Sequence, residues 1–196
     1  METMNFWWLL IPASYALGTF PTAHIVAGFV GHDPTSEGSG NPGASNVYRV
    51  AGAKAGVIVL AGDLMKGLIP SLVCLLADGP ILGLVAGLAA LLGHIAPITR
   101  KLNGGKGVAT LTGLSVALYP FVVLVLFVVW VSLMRLFRRA SIGSLVTVIL
   151  LPFGVLIMPD TRWYEVAIIG AASAIVTLRH HENIKRLFKG EEQAID

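Results

Sequence analysis

Charge is scarce in this sequence, and so is cysteine. Asp, Glu, Lys and Arg make up 13% of the 196 residues, where a soluble domain carries about 25%. Beside 55% hydrophobic residues and a mean hydropathy of +0.78, that deficit excludes an ordinary soluble globule and points to a membrane protein. No polar stretch is long enough for a separate soluble domain, so residues 1–196 are expected to form a single integral-membrane domain. The one cysteine, Cys74, lies in an apolar run. Without a partner it excludes a disulfide framework and a cysteine metal quartet, and it reads as a small buried hydrophobe. Lys and Arg are missing from Met1 to Asn5, which carries Glu2. A cleavable signal peptide needs a basic leader, so the first apolar segment is expected to stay as a span with its amino terminus outside. The pI near 9.2 would suit nucleic acid, but topology accounts for the basic residues, and no nucleic-acid partner is expected.

What the chain does have is a series of apolar segments. Span one runs from about Phe6 to about Val30, with Trp7 and Trp8 as interfacial anchors and His24 inside. Gly31 to Ala53 reads as a loop. Span two covers about Lys54 to Ala77, Asp78-Gly-Pro80 a tight turn, and span three about Ile81 to Thr99. Gly83-x-x-x-Gly87 in span three lets helices approach closely. Val108 to Met134 is uncharged but contains Pro120. One long span there would put Arg135, Arg138 and Arg139 on the face opposite Arg100, Lys101 and Lys106; two spans put them together, as the positive-inside rule favours. The first of the two, Val108 to Leu118, reaches only about 17 Å as a helix, against a hydrocarbon core of about 30 Å. Either the membrane thins there, or the preceding Gly-Gly-Lys loop lies below headgroup level, tucked into protein. Spans five to seven cover about Phe121 to Leu136, Ile142 to Met158 and Trp163 to Leu178, and a charged tail follows from Arg179. The expected fold is all-α: a polytopic membrane protein with seven transmembrane helices, amino terminus outside and carboxyl terminus cytoplasmic. Every Lys and Arg except Lys66, within span two, and Arg162 then lies inside.

Polar residues cluster on that cytoplasmic side. Ser39-Gly-Asn-Pro-Gly-Ala-Ser-Asn-Val-Tyr-Arg49 is a glycine-rich run able to turn backbone N–H groups towards an anion. Gly104-Gly-Lys-Gly107 resembles a nucleotide phosphate loop, but Arg100 stands where the first Gly should be and Gly107 replaces the magnesium-binding hydroxyl. An NTPase is excluded; backbone N–H groups and a lysine at a helix amino terminus still favour an oxyanion. Asp63 and Lys66 share a helix face and can neutralise one another as a structural ion pair. Ser141 either caps span six or donates its hydroxyl to a substrate. His180-His-Glu-Asn183 closes span seven, with His180 and Asn183 on one face if the helix continues. No His-x-x-x-His or paired acids accompany the histidines, and neither a metal nor a cofactor is expected. Together these clusters describe a pocket for phosphates next to lipid, suited to a substrate with an acyl tail in the bilayer and a phosphate head at its surface.

Three motifs in this order, Ser-Gly-Asn-Pro-Gly-Ala-Ser-Asn-x-x-Arg (39–49), Gly-His-x-x-Pro (93–97) leading to Gly-Gly-Lys-Gly-Val-Ala-Thr (104–110), and His-x-x-Asn-Ile-x-Arg-Leu (180–187) followed by Gly190 and Glu191, resemble the signatures of the PlsY family of acyl-phosphate:glycerol-3-phosphate acyltransferases. The resemblance covers nearly the whole chain. Thr is common in the family where Ser45 stands, which keeps the hydroxyl. The resemblance implies a seven-span enzyme of the bacterial inner membrane, its active site facing the cytoplasm. It implies acyl transfer from acyl phosphate to the 1-hydroxyl of sn-glycerol 3-phosphate, giving lysophosphatidic acid and phosphate, the first committed step of phospholipid synthesis. No required protein partner is expected. The His-x-x-x-x-Asp dyad of other glycerolipid acyltransferases is missing: the residues five after His24, His32, His94, His180 and His181 are Phe29, Glu37, Thr99, Lys185 and Arg186.

The expected roles follow from charge. The leaving phosphate sits against Ser39, Gly40, Asn41, Gly43, Ala44, Ser45 and Asn46. The acceptor phosphate meets Arg49, Lys106 and Ser141, and Gly104 and Gly105 are expected to bind substrate through their backbone N–H groups. His180 and Asn183 orient the glycerol. Ser39, Lys106, His180 and Asn183 are the expected catalytic group. The rival class is a small membrane transporter with re-entrant glycine-rich loops, suggested by Asp63, Lys66 and the loop at Lys106. Transporters usually show two inverted halves, and three unlike motifs over seven spans do not divide that way.

Overall fold

The computed structural model describes residues 6–195, and every regular element among them is helical. The chain divides into two compact units, one ending at Leu118 and the other beginning at Tyr119.

In the first unit a 3-10 turn, Phe6–Leu9, leads into α1 (Leu10–Gly18) and α2 (Thr22–Gly28). The expected first span is therefore interrupted. Pro21 has no N–H to continue the ladder and stands at the N-cap of α2. The expected loop from Gly31 to Ala53 also holds a helix, α3 (Ala44–Ala51), so Ser45, Asn46 and Arg49 are helical rather than loop residues. Next come α4 (Ala53–Ile95) and α5 (Val108–Leu118). α4 is two arms joined by a bend: Asp78 and Gly79 are non-helical, and Gly79 has φ +84°, a conformation glycine adopts without a Cβ penalty. That is the turn expected at Asp78-Gly-Pro80.

Small residues let these helices close up. A Cβ added at Gly83 would meet the Ser71 carbonyl oxygen across the bend at 2.9 Å, as the Gly83/Gly87 spacing suggests. Between α4 and α5 the fit is tighter: a Cβ at Gly67 would collide with the Thr110 carbonyl oxygen, and one at Gly113 with that of Leu64. Gly67→Ala should therefore cost about 1–3 kcal/mol, the usual penalty of overpacking. Thermal unfolding of the purified protein in detergent checks this; an unchanged midpoint would mean that α4 and α5 can separate without loss.

The second unit contains α6 (Pro120–Phe137), α7 (Ala140–Leu156), α8 (Trp163–Leu178) and α9 (His181–Lys189), with α7 packed against both α6 and α8. Pro120 occupies the first turn of α6, where its missing N–H costs nothing. Val108 to Met134 thus forms two helices, as the charge distribution suggested. α6 exposes Phe121, Leu124, Val125, Phe127 and Val128 along its length, a surface that suits lipid rather than water. Phe6–Gly28, Ala53–Arg100 and Pro120–Phe137 are long and apolar enough to cross a membrane, while Val108–Leu118, Ala140–Leu156 and Trp163–Leu178 are shorter apolar helices. Cys74 is buried and unpaired.

Candidate active-site residues

The glycine-rich run of the first unit is built around Asn46. This residue is 2% exposed, on the first turn of α3. Its Oδ1 accepts the Ser39 N–H at 2.8 Å, and its Nδ2 donates to the carbonyls of Pro34 (2.9 Å) and Glu37 (3.0 Å). One amide therefore folds residues 34–39 back onto the helix. Its side chain, expected to contact substrate, is spent on shaping the loop. The N–H groups of Gly40 and Gly43 bond to the carbonyls of Glu37 and Asn41. With Ser39 also engaged, the expected cradle of loop N–H groups is largely internal. Ala44 and Ser45 stand in the first turn of α3, where N–H groups have no intrahelical acceptor and the helix dipole is positive. Ser39 and Asn41 are half-buried beside it, and Arg49 lies in the last turn of α3.

The second glycine-rich stretch is held in a similar way. Gly104 N–H donates to the Ile95 carbonyl and Gly105 N–H to that of His94, both at 3.1 Å. Both glycines are buried, and a Cβ on either would collide with His94. Their N–H groups were expected to favour an oxyanion, but they are committed to backbone. These glycines set the path of the chain past His94 and into Lys106. Lys106 is half-buried. It precedes Gly107, whose φ of +93° turns the chain into α5 and whose carbonyl accepts the Leu111 N–H at 2.8 Å.

In the second unit, the helix does not run unbroken through His180. α8 ends at Leu178, and His180 is the N-cap of α9. The ring is 4% exposed, with Nδ1 2.8 Å from the Val176 carbonyl oxygen. A carbonyl only accepts, so Nδ1 carries a proton, and in the neutral ring Nε2 is then the acceptor nitrogen. A backbone carbonyl thus does the orienting work that a carboxylate does elsewhere. His181 and Glu182, by contrast, are exposed, with Lys185 paired to Glu182 at 3.0 Å on the surface.

The sequence reading pointed to Glu191 after Gly190; the structure puts the weight on Glu192. Glu191 is exposed and Glu192 is buried. Glu192 accepts from Asn183 Nδ2 at 2.6 Å and from Arg186 Nε at 2.8 Å, and its carbonyl accepts from Arg139 Nε at 3.1 Å. Burial pushes its carboxyl pKa up, but Asn183, Ser141 and Arg186 together outweigh that, so it lies below the ordinary value. Ser141 is buried in the first turn of α7, which starts at Ala140 with no side-chain cap, so the capping alternative fails. Its hydroxyl makes no well-formed hydrogen bond yet lies near enough to help hold the Glu192 charge. Only the turn at Gly190, φ +72°, hinted in the sequence that the tail folds back.

Long apolar helices with lipid-suited surfaces define the class: an all-helical integral membrane protein. A family model described as glycerol-3-phosphate acyltransferase matches residues 8–190. Glycerol-3-phosphate acyltransferase of Methylococcus capsulatus is 41% identical, over 94% of each chain, and that of Thioalkalivibrio sulfidiphilus 39% identical, over 95% of this chain and 92% of the relative. Among solved structures, PlsY (YgiH), an integral membrane glycerol 3-phosphate acyltransferase, matches in its glycerol 3-phosphate form with a TM-score of 0.92 and 33% identity, covering 97% of this chain and 96% of that one. Its lysophosphatidic acid form matches with a TM-score of 0.89. The chain belongs to the glycerol-3-phosphate acyltransferase family.

Proposed function

We propose that the chain transfers an acyl group from acyl phosphate to the 1-hydroxyl of sn-glycerol 3-phosphate, at the cytoplasmic face of the bacterial inner membrane. That it is a glycerol-3-phosphate acyltransferase follows from its family. The observation that carries the choice of acceptor and product is its close match to a relative solved in both a glycerol 3-phosphate and a lysophosphatidic acid form, which are acceptor and product of such a transfer; acyl phosphate as donor rests on the family resemblance of the motifs. Seven spans, with the amino terminus outside and the tail inside, are our reading of the topology, supported by the placing of Lys and Arg. We expect no required protein partner.

In this reading the 1-hydroxyl oxygen attacks the acyl carbonyl carbon, the bond from that carbon to the phosphate oxygen breaks, and inorganic phosphate leaves. The start of α3, with Ser39 and Asn41 beside it, receives the charge that grows on the leaving phosphate. Arg49, Lys106 and Ser141 bind the acceptor phosphate. His180 accepts the 1-hydroxyl hydrogen bond through Nε2, and Asn183, pinned by Glu192, helps orient the glycerol. The hydroxyl proton ends on an oxygen of the departing phosphate, so His180 positions rather than titrates. Holding both reactants by their phosphates supplies much of the rate.

His180→Gln tests the proton assignment. It should keep turnover within about tenfold and raise KM for glycerol 3-phosphate, because binding and not proton transfer is lost. A fall of about 10²–10⁴ in kcat at saturating substrate would make His180 the base instead. The reaction itself is tested by phosphate release from acyl phosphate and glycerol 3-phosphate with the purified protein. No release, with or without lipid, would overturn it.

A further inference from the structure

The first unit buries charge that the roles above leave unused. Asp63 and Lys66, both on α4, are 3% and 5% exposed. Lys66 Nζ donates to Asp63 Oδ1 at 2.6 Å, and His94 Nδ1 lies 3.7 Å from the same oxygen. Charge inside an apolar helix is costly and is usually retained for a purpose. Mutual neutralisation accounts for the Asp63–Lys66 pair but not for the buried histidine beside it.

The surroundings of His94 suggest the purpose. One edge of its ring faces the Asp63 carboxylate, and the other, at Nε2, lies against Gly105, where an added Cβ would collide with it. The carbonyls of His94 and Ile95 accept the Gly105 and Gly104 N–H groups. Asp63 also reaches the far side of the same segment, since its own carbonyl accepts the Thr110 hydroxyl at 3.0 Å. Thr110 is thus tied directly to Asp63, while Gly105, at the other end of the segment that carries Lys106, lies next to it only through the His94 ring. A cavity of about 10 Å³ borders the cluster, lined by Thr22, Asp63, Lys66, His94, Arg100 and Gly105 among others. That is room for about one water. Thr22 Oγ1 and Arg100 Nε, buried without hydrogen-bond partners, are suited to such a water.

We propose that Asp63, Lys66 and His94 form a positioning triad: the Lys66-paired carboxylate holds the His94 ring, the ring and its carbonyl hold Gly105, and the clamped glycines set the Lys106 ammonium against the acceptor phosphate. This rests on the role of Lys106 given above. None of the three touches substrate.

Steady-state kinetics on the purified full chain in detergent micelles test it. Asp63→Asn should raise KM for glycerol 3-phosphate at least about tenfold while leaving KM for acyl phosphate within about twofold, and Asp63→Glu should restore part of the loss. A general loosening of the fold would move both constants together, and that result, or no change in either, overturns the triad. Should Asp63→Asn leave Lys66 unpaired and the protein unfolded, Asp63→Asn/Lys66→Met removes both charges and is judged by the same split. A double-mutant cycle gives an independent reading: His94→Ala should raise KM for glycerol 3-phosphate as Asp63→Asn does, and combining the two should add less than about threefold, because both break one chain of contacts. Fully additive losses, or no effect of His94→Ala, also overturn the triad. Lys106→Ala separates the two levels. If it leaves kcat/KM for glycerol 3-phosphate intact, the Lys106 role fails and the triad with it; if it acts while Asp63→Asn does not, only the triad falls.

Discussion

Lys106→Ala is expected to lower kcat/KM for glycerol 3-phosphate by about 10²–10³-fold, on the order of the cost of removing one donor to a developing oxyanion. The size follows from how little the structure leaves to share the load. Gly104 and Gly105 have their N–H groups bonded to Ile95 and His94. The glycine-rich stretch therefore offers one strong cation and not a ring of backbone donors. That cation stands at the amino-terminal end of α5, where the helix dipole adds to its field. Lys106→Arg should recover only part of the activity, because a planar fork on a clamped backbone does not put its charge where the ammonium was. Phosphate release at saturating acyl phosphate, over a range of glycerol 3-phosphate, measures both variants. Lys106→Ala within about threefold of the parent would take the lysine out of the site.

Glu192→Ala is expected to be the most destabilising single change in the second unit. It removes the acceptor of Asn183 and Arg186 together and leaves a guanidinium without its carboxylate. Breaking a buried pair from one side costs about 3–5 kcal/mol. The lower end, about 3 kcal/mol, applies here, because the Arg186 side chain is 29% exposed and water can reach it. Asn183 loses its anchor at the same time, so activity should fall with stability. Glu192→Gln keeps an acceptor without the charge and should lie between the two. The pH dependence has a definite sign. A carboxyl whose folded pKa is depressed stabilises fully above its ordinary range and loses that contribution as pH falls through the folded value. Unfolding midpoints of the parent should therefore drop on acidification below the ordinary carboxylate range, while those of Glu192→Ala should drop less. Equal midpoints for parent and variant at neutral pH would show that the tail does not brace the unit.

Several of these features were not visible from composition and spacing. Asn46 reads in the sequence as one more polar residue of a loop; only its three hydrogen bonds reveal it as the loop's organiser. The two neighbouring acids after Gly190 look alike, and burial alone separates Glu192 from Glu191. His180 lacked a carboxylate partner in any motif. A backbone carbonyl orients it, and carbonyls carry no sequence signal.

The sequence by itself determined the membrane class, the all-helical architecture, the break at Pro120, the bend at Asp78-Gly79 and the three motifs that resemble one enzyme family. Those depend on composition, on residues with unusual backbone freedom and on order along the chain, all of them local properties. Only the tertiary structure decided which polar groups are spent internally, among them the Asn46 amide and the Gly104 and Gly105 N–H groups. Whether an N–H, an amide or a carboxylate is satisfied depends on partners far away in the chain, as His94 is to Gly105 and Asp63 is to Thr110.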